Sequence, residues 1–214
     1  MRRFLLTLSL LMPLLVFTSC EDDKDEPQDI SVSNQSLIVG QTYSLPKGTW
    51  TSSNDAVAKI ENGKVIAVRR GDATIKGSST SFKVDVTPSN NIIPDPCLQF
   101  GDNQSEVREY MVSLGGFNNP ALSLIQNYTR TSPTTLGYQY TFKNYEGLQS
   151  VLVMAFQKDY TEIEIAEYLN QRYIPVTEKD GVFGFLSLDK KIKVAYTIEN
   201  MKGSITYLIK YDPN

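Results

Sequence analysis

The feature that most constrains the fold is a series of short strand-like runs between about Ile30 and Val86. The runs are separated by turn residues, and Asn-Gly at 62–63 and Arg-Gly at 70–71 supply hairpin-type turns. Many short strands at regular spacing are typical of a β-sandwich. The predicted strands are Ser36–Val39, Thr42–Leu45, Ala56–Ile60, Lys64–Val68, Ala73–Lys76 and Ser81–Val86.

The residues of these runs also resemble a known family, the bacterial Ig-like group 2 module. The matching residues are, in order, Leu37–Leu45, Trp50–Ala58, Asn62–Val65, Val68, Gly71 and Ala73–Ile75. The resemblance implies an Ig-like sandwich over residues 30–87. The family includes modules of adhesins such as intimin and invasin and many spacer modules of surface proteins. It therefore implies a surface-protein scaffold without an active site of its own.

The apolar residues that a small two-sheet core needs are present in this region. We expect Trp50 to fill the core rather than to bind a ligand. Gly71 permits a turn conformation that a β-carbon would penalise. The expected core residues of the Ig-like domain are Trp50, Val57, Ile60, Val65, Val68 and Ile75.

A proline-containing segment, residues 88–97, predicts a linker between two domains. Composition changes across it, because the single tryptophan precedes it and nearly all of the 12 tyrosines follow it. We expect limited proteolysis to cut in this segment and to leave two resistant pieces.

Residues 98–214 predict an α+β domain with an antiparallel sheet and two helices on one face. One helix follows a capping box at Asn103 and Glu106 and ends at Gly115. The other runs from about Thr161 to Arg172. Strands are predicted near 122–129, 135–142, 149–157, 181–188, 191–198 and 203–211. The complete fold class is thus multidomain, an all-β Ig-like sandwich followed by this α+β domain of unknown function.

Side chains of the later strands alternate between apolar and polar with a period of two, as in Ile192–Ile198. Such alternation predicts one covered face and one face in water, and the wet face is a candidate binding surface or an ordinary solvated face. We expect the tyrosines to pack in the core rather than to stack on sugars. The wet face would carry Gln139, Thr141, Lys143, Lys193, Thr197, Glu199, Thr206 and Lys210.

The first twenty residues predict export. Two arginines precede the apolar run Phe4–Phe17, which is shorter than the roughly twenty residues that span a bilayer. This pattern predicts a signal peptide over residues 1–19. The sequence Phe17-Thr18-Ser19-Cys20 resembles the lipobox of bacterial lipoproteins, which implies that Cys20 carries palmitate and other lipid. A plain signal peptide and an uncleaved anchor are the alternatives.

Residues 20–29 form an acidic segment that is too charged to pack and predicts a tether. It resembles the acidic export tag of some Gram-negative lipoproteins, which implies display on the outer face of the outer membrane. The alternative is a spacer with no role in sorting.

The chain contains no histidine, which excludes Ser-His-Asp and Cys-His catalysis and His-ligated zinc. Its net charge of −3 gives no basic surface for nucleic acid. Once Cys20 carries lipid, Cys97 has no disulfide partner, and we expect a buried structural thiol. No cofactor or metal is expected.

Sequence patterns that suggest chemistry have simpler explanations. Ser187–Lys190 matches S-x-x-K but is predicted at a strand-to-strand turn and lacks the partner motifs of acylating enzymes. Gly71–Gly77 lacks the ending of a phosphate loop, and Asp22–Glu26 lacks the glycine of a calcium loop. Acidic residues around Glu162 suit the positive end of a helix. The sequence predicts no catalytic residue.

Three functions remain open. The first is a surface-exposed lipoprotein whose Ig-like spacer carries an α+β head for adhesion or for binding a glycan or protein. The second is a periplasm-facing structural or accessory subunit of an envelope complex. The third is a small hydrolase that relies on carboxylates. The first is the preferred hypothesis.

Overall fold

The structure is a computed structural model that describes residues 32–118, 120–156, 159–199 and 202–209. Within these residues the chain forms fourteen strands and two helices. The fold is mostly β, and all strand pairs are antiparallel except one. The described residues all belong to one compact unit. Within these ranges neither helix has the length and apolarity needed to cross a membrane. Residues 1–29, with the predicted signal peptide, Cys20 and the tether, lie outside the described residues.

The N-terminal region consists of two small sheets that enclose one hydrophobic cluster. Their strand orders are β1-β7-β6-β3 and β2-β5-β4, and β1 runs parallel to β7. The six predicted strands are confirmed to within two residues, whereas the two-residue β3 is too short for a periodic signal. The strands are β1 (Gln35–Ile38), β2 (Thr42–Ser44), β3 (Thr51–Ser52), β4 (Ala58–Glu61), β5 (Lys64–Ala67), β6 (Gly71–Lys76) and β7 (Ser81–Thr87).

The expected core residues of this region occupy three kinds of position. Val57, Val65 and Ile75 are fully buried in the cluster, Trp50 and Ile60 pack partly buried against it, and Val68 is half-buried outside it. The other buried members of the cluster are Leu37, Ala58, Ala67, Ala73, Phe82, Val84 and Val86.

Gly71 has a φ of 138°. A β-carbon there would lie 3.1 Å from a methyl group of Val57 and 3.0 Å from one of Leu188. Backbone conformation and packing therefore both require glycine at this position.

The two helices begin where the predicted capping boxes place them. In α1 (Gln104–Leu114), the Asn103 side chain accepts from the N–H of Glu106, and the Glu106 carboxylate accepts from the Asn103 N–H at 2.8 Å. Thr161 and Glu164 make the same reciprocal bonds at the start of α2 (Glu162–Asn170). Gly115, at a φ of 70°, ends α1 as expected.

The C-terminal region is built on a seven-stranded antiparallel sheet of order β11-β12-β13-β14-β10-β9-β8. The six predicted strands are confirmed with ends shifted by a few residues, and β11 is a further strand that the sequence patterns do not predict. The strands are β8 (Ile125–Arg130), β9 (Leu136–Lys143), β10 (Gly147–Phe156), β11 (Ile174–Lys179), β12 (Val182–Leu186), β13 (Ile192–Glu199) and β14 (Lys202–Ile209).

One face of this sheet is covered and rich in tyrosine. Tyr128 lies opposite Tyr138 across the strands, and Tyr140 follows on the same face. All three rings are fully buried in one hydrophobic cluster with Val107 and Met111 of α1 and Ile165, Tyr168 and Leu169 of α2. The expectation that the tyrosines pack in the core is confirmed for these residues.

Residues 88–97, which we call the strap, run between the two regions and are held by the C-terminal region. Ile93 of the strap is 1% exposed and Cys97 is also buried. The core tyrosines find their polar partners on its backbone. Tyr138 donates to the Pro94 carbonyl (2.6 Å), Tyr110 donates to the Asp95 carbonyl (2.8 Å), and Tyr140 accepts from the Cys97 N–H (3.1 Å).

Arg172, just after α2, holds the strap from the other side, and its side chain is only 3% exposed. Its Nε donates to Asp95 Oδ1 at 2.8 Å, one Nη donates to the Asn90 carbonyl at 2.8 Å, and the other donates to Asn91 Oδ1 at 2.7 Å. The guanidinium also lies 3.9 Å from the ring centroid of Tyr168. Every face of this buried cation is therefore occupied by an acceptor or an aromatic ring.

Residues beside Arg172 also contact the N-terminal region. The Gln171 carbonyl accepts from the Arg70 N–H at 2.8 Å, and the Tyr173 carbonyl accepts from Arg69 Nε at 3.0 Å. Leu188, between β12 and β13, packs against the N-terminal hydrophobic cluster. The two regions are thus joined by packing and hydrogen bonds as well as by the strap.

Replacing Arg172 should test this coupling. We expect Arg172→Ala to lower the free energy of unfolding by about 3 kcal/mol, because Asp95 and the strap carbonyl lose a buried cation. Arg70→Ala is the matched control, since Arg70 contacts the same carboxylate through a side chain that is 53% exposed. It should cost less than about 1 kcal/mol. Urea denaturation followed by circular dichroism measures both, and equal losses would contradict the assigned role of Arg172.

The same contacts predict the result of limited proteolysis. The burial and hydrogen bonds of the strap should protect it, so the native protein should yield one resistant fragment that spans both regions. This outcome differs from the two pieces expected from the sequence. Mass spectrometry of the fragments decides between them, because early cleavage within residues 88–97 of the native chain would show that the strap is open.

Candidate ligand-binding groove

An open groove of about 480 Å³ lies between α2 and the end of the sheet formed by β11, β12 and β13. Its volume falls within the range of roughly 300–1,000 Å³ that is common for small-molecule sites. Helix α2 contributes Glu162, Ile163, Ala166 and Asn170 to the lining. The strands contribute Pro175, Val176, Thr177, Glu178, Phe183, Gly184, Phe185, Tyr196 and Ile198.

Helix α2 presents two different sides. Ile165 and Leu169 are buried against the sheet. Ile163, Ala166 and Asn170 follow one another at spacings of three and four residues, which places them on a second side that lines the groove. Ile163 is 80% exposed, although the start of a surface helix is usually polar. An apolar side chain is therefore presented at the edge of the groove.

The strand wall of the groove is aromatic. Phe183 and Tyr196 are register partners on β12 and β13, so they share the covered face of the sheet. Their ring centroids lie 5.9 Å apart at an interplanar angle of 31°. Phe185 follows Phe183 by two residues and lines the groove from the same face.

Tyr196 is seated over a glycine. A β-carbon at Gly203 would lie 3.0 Å from Cε2 of Tyr196, 3.2 Å from its hydroxyl oxygen and 3.1 Å from Ile165 Cδ1. The missing side chain at residue 203 thus provides the space in which the tyrosine ring lies beneath α2.

The hydroxyl of Tyr196 is buried and has no hydrogen-bond partner among the described residues. Burial and the nearby charge of Glu162 raise the pKa of Tyr196 to about 12. The group is therefore a neutral hydroxyl at physiological pH. A buried hydroxyl without a partner costs about 1–3 kcal/mol, and such groups are few in folded proteins.

The remaining polar groups of the groove are acidic or neutral. Glu162 and Glu178 are the charged side chains among the described lining residues, and neither Lys nor Arg is among them. The groove thus combines apolar and aromatic walls with two carboxylate side chains. Such a site can bind a hydrophobic molecule and orient it through a few polar contacts.

The predicted wet face lies on the other side of the sheet. The register aligns Gln139 with Leu152, Leu152 with Thr206, and Thr206 with Ala195. By strand alternation, Thr141, Lys143, Lys193 and Thr197 share this face. Lys143 and Lys193 are exposed and the others are half-buried. The side chain of Glu199 and the whole of Lys210 lie outside the described residues.

The nucleophile candidates of the sequence have structural partners. Ser187 lies in the turn between β12 and β13 as predicted, and its hydroxyl donates to Asp189 Oδ1 at 2.5 Å and accepts from the Ile192 N–H at 3.0 Å. Cys97 is buried as expected. Burial raises the pKa of its thiol, and Asp102 acts in the same direction. Among the described residues, no group of three or more Cys, Asp or Glu side chains could hold a metal ion.

A second cavity, of about 620 Å³, lies beside the strap, and its charged groups are paired. Asp95 Oδ1 accepts from Arg172 Nε and from the Tyr168 hydroxyl, and Asp95 Oδ2 accepts from Arg70 at 2.5 Å. Burial acts to raise the pKa of Asp95, but the charges of Arg172 and Arg70 and the hydrogen bond from Tyr168 outweigh it. The pKa of this carboxyl therefore lies below its ordinary value, and a structural role accounts for these groups.

Sequence patterns alone do not predict the groove, because they do not predict β11. This strand contains Pro175 and has a register irregularity between Pro175 and Thr177, so it shows no clean alternation. Ile163 was the signal that could have indicated a site, because it lies outside the apolar face of α2 formed by Ile165 and Leu169.

Comparison of the chain with protein-family models, with curated proteins and with solved structures finds no match.

The lowered pKa of Asp95 predicts acid sensitivity. A carboxyl whose pKa is lower in the folded than in the unfolded state stabilises the fold above the unfolded value of about 3.9 and loses this effect as the pH falls through the folded pKa. Asp95→Asn should therefore be less stable than the wild type at pH 7, and its unfolding free energy should decrease less between pH 5 and pH 2. Urea titrations across this range measure both slopes, and parallel slopes would contradict the prediction.

Proposed function

We propose that this chain is a cell-envelope lipoprotein, lipid-anchored through Cys20 at the outer membrane and exposed at the cell surface, that binds a ligand without catalysing a reaction. In this proposal the N-terminal region is an Ig-like spacer of the bacterial group 2 type. The C-terminal region is the head that binds the ligand. The observation that carries the proposal is the apolar groove between α2 and β11–β13.

Features of both regions support this assignment. The N-terminal region is a two-sheet sandwich, as the resemblance to Ig-like modules implies, and its cavity of about 520 Å³ beside Trp50 and Ile60 is also lined by the polar residues Thr51, Ser52, Asp55 and Lys59. The residues that line the groove all belong to the C-terminal region, and none of them lines the cavity that holds the paired charges of Asp95 and Arg172. A spacer that carries a separate binding surface matches this division.

A non-catalytic role is supported by the state of the reactive groups. The Ser187 hydroxyl is engaged by Asp189 and Ile192, and the Cys97 thiol is buried with a raised pKa. The perturbed carboxyl Asp95 is held by two arginines in a structural ion pair. Hydrogen bonds, burial and ion pairs within the fold therefore account for these three groups without a catalytic role.

An accessory subunit that faces the periplasm is the second candidate, and the uncovered face of the large sheet favours it. Leu152 and Met154 are half-buried on that face, beside the small or neutral residues Thr206 and Ala195. This uncharged patch, which shares its face with the exposed Lys143 and Lys193, suits the surface of a protein partner.

Labelling of the C-terminal region on intact cells separates the two candidates. We expect an antibody against residues 98–214 to label cells that produce the full chain and to lose this labelling in a Cys20→Ala variant, because the lipid anchor is gone. Immunoblots should confirm that both forms are produced. Labelling only after permeabilisation of the outer membrane would contradict surface display and favour the periplasmic candidate.

A further inference from the structure

One end of the large sheet exposes a cluster of apolar side chains. The segment that leads into β8 contributes Leu122, Leu124 and Ile125, which are 50%, 42% and 51% exposed. The hairpin turn between β9 and β10 contributes Tyr145, which is fully exposed. We call these four side chains the tip. Residues 110–129, which include three of the four, contain no charged side chain.

The two parts of the tip lie at the same end of the sheet. Ile125, the first residue of β8, is the register partner of Thr141 near the end of β9. The Phe142 N–H donates to the Leu124 carbonyl at 2.7 Å, so the pairing continues by one residue beyond β8. Tyr145 follows Phe142 by three residues, in the turn that ends the same hairpin arm.

The hairpin turn is held at its base. The Gly101 N–H donates to the Leu148 carbonyl at 3.2 Å, and the Leu148 N–H donates to the Asp102 carbonyl at 2.8 Å. A β-carbon at Gly147 would lie 1.9 Å from the Gly101 carbonyl oxygen, so this approach requires glycine. Tyr145 has a φ of 64°, which is uncommon for a residue other than glycine. The fold therefore presents a large ring at a turn that a smaller residue would form more easily.

The composition of the tip fits a lipid surface better than a protein partner. Binding energy at protein interfaces comes mainly from Trp, Tyr and Arg in packed pockets, where leucine is under-represented. The tip consists of leucine, isoleucine and one tyrosine, and tyrosine is enriched where membranes meet water. No tip residue lines either of the two cavities described above.

Two backbone carbonyls of the tip have partners within the protein. The Leu124 carbonyl accepts from the Phe142 N–H, and the Ile125 carbonyl accepts from the Ser123 hydroxyl. Backbone groups that enter a bilayer must be paired internally, because lipid tails offer no partner. These bonds reduce the cost of moving the adjoining side chains out of water.

The charges of the hairpin turn are balanced. Lys143 and Glu146 flank Tyr145 and form an ion pair with an N–O distance of 2.5 Å. Attraction to anionic lipids requires an excess of Lys or Arg, which this turn lacks. Contact with a bilayer would therefore depend on the apolar side chains.

We propose that the tip inserts shallowly into a lipid bilayer and orients the C-terminal region at the membrane surface. Three half-exposed aliphatic side chains and one tyrosine bury little apolar area, so this contact is weak and reversible by itself. The proposal rests on the proposed function, because the lipid at Cys20 supplies the second attachment that keeps the tip near a bilayer.

Vesicle flotation tests the proposal. The protein is the mature chain, residues 20–214 carrying Cys20→Ala, because the run Phe4–Phe17 or a lipid would bind vesicles by itself. We expect a fraction of it to float with phosphatidylcholine vesicles at a lipid concentration of about 5 mM. Phosphatidylglycerol in the vesicles, or added salt, should change this fraction by less than about twofold.

Matched double variants locate the contact. Leu122→Ser with Leu124→Ser should lower the partition coefficient by about tenfold, because two apolar side chains of the tip are lost. Ile38→Ser with Val112→Ser removes side chains of similar exposure, 43% and 57%, from β1 and α1 and should leave partitioning unchanged. Circular dichroism should show that both double variants fold.

Four results would overturn the proposal. The mature chain could fail to float, or the tip variant could float as well as the wild type, which would place the contact elsewhere. Self-association in place of vesicle binding, lost in the tip variant, would assign the tip to a second copy. Photo-crosslinking from residue 122 to another protein on cells, without vesicle binding, would assign it to a protein partner. The cell-labelling experiment tests the proposed function separately, because surface display does not depend on flotation of the unlipidated chain.

Discussion

The buried guanidinium of Arg172 is the interaction on which the arrangement of the molecule depends. A cation that is nearly inaccessible to water must be matched by acceptors, and Asp95, Asn90 and Asn91 supply them from the strap. Because Arg172 follows Gln171, the C-cap residue of α2, these bonds also fix the end of that helix. Helix α2 forms one wall of the groove, so the contact that joins the two regions also positions the candidate site.

The tyrosine-rich composition of the second half has a physical explanation in the same part of the structure. A tyrosine ring can be buried at little cost only if its hydroxyl finds a partner. The strap supplies such partners from its backbone to Tyr110, Tyr138 and Tyr140. Burial raises the pKa of Tyr138 and Tyr140 well above the ordinary value, so both remain neutral donors or acceptors. Core and strap therefore stabilise each other.

Three features of the groove depart from the residue preferences of a stable fold. Ile163 is apolar and exposed, the Tyr196 hydroxyl is buried without a partner among the described residues, and β11 is an irregular edge strand. Each feature costs stability by itself, and all three occur around one cavity. Such a concentration of locally unfavourable choices is typical of a functional site, and it supports the proposed function independently of the reactive groups.

Local chemistry determined much of the fold directly from the sequence. The capping boxes at Asn103 and Thr161 and the alternation around Val194 act between residues a few positions apart, so the sequence alone places both helices and most strands. The strap and the groove were decided only by the tertiary structure. Asp95 meets Arg172 across 77 residues, and the groove joins α2 to a strand whose proline hides its periodicity. Contacts of that kind depend on how the elements pack, which no local pattern encodes.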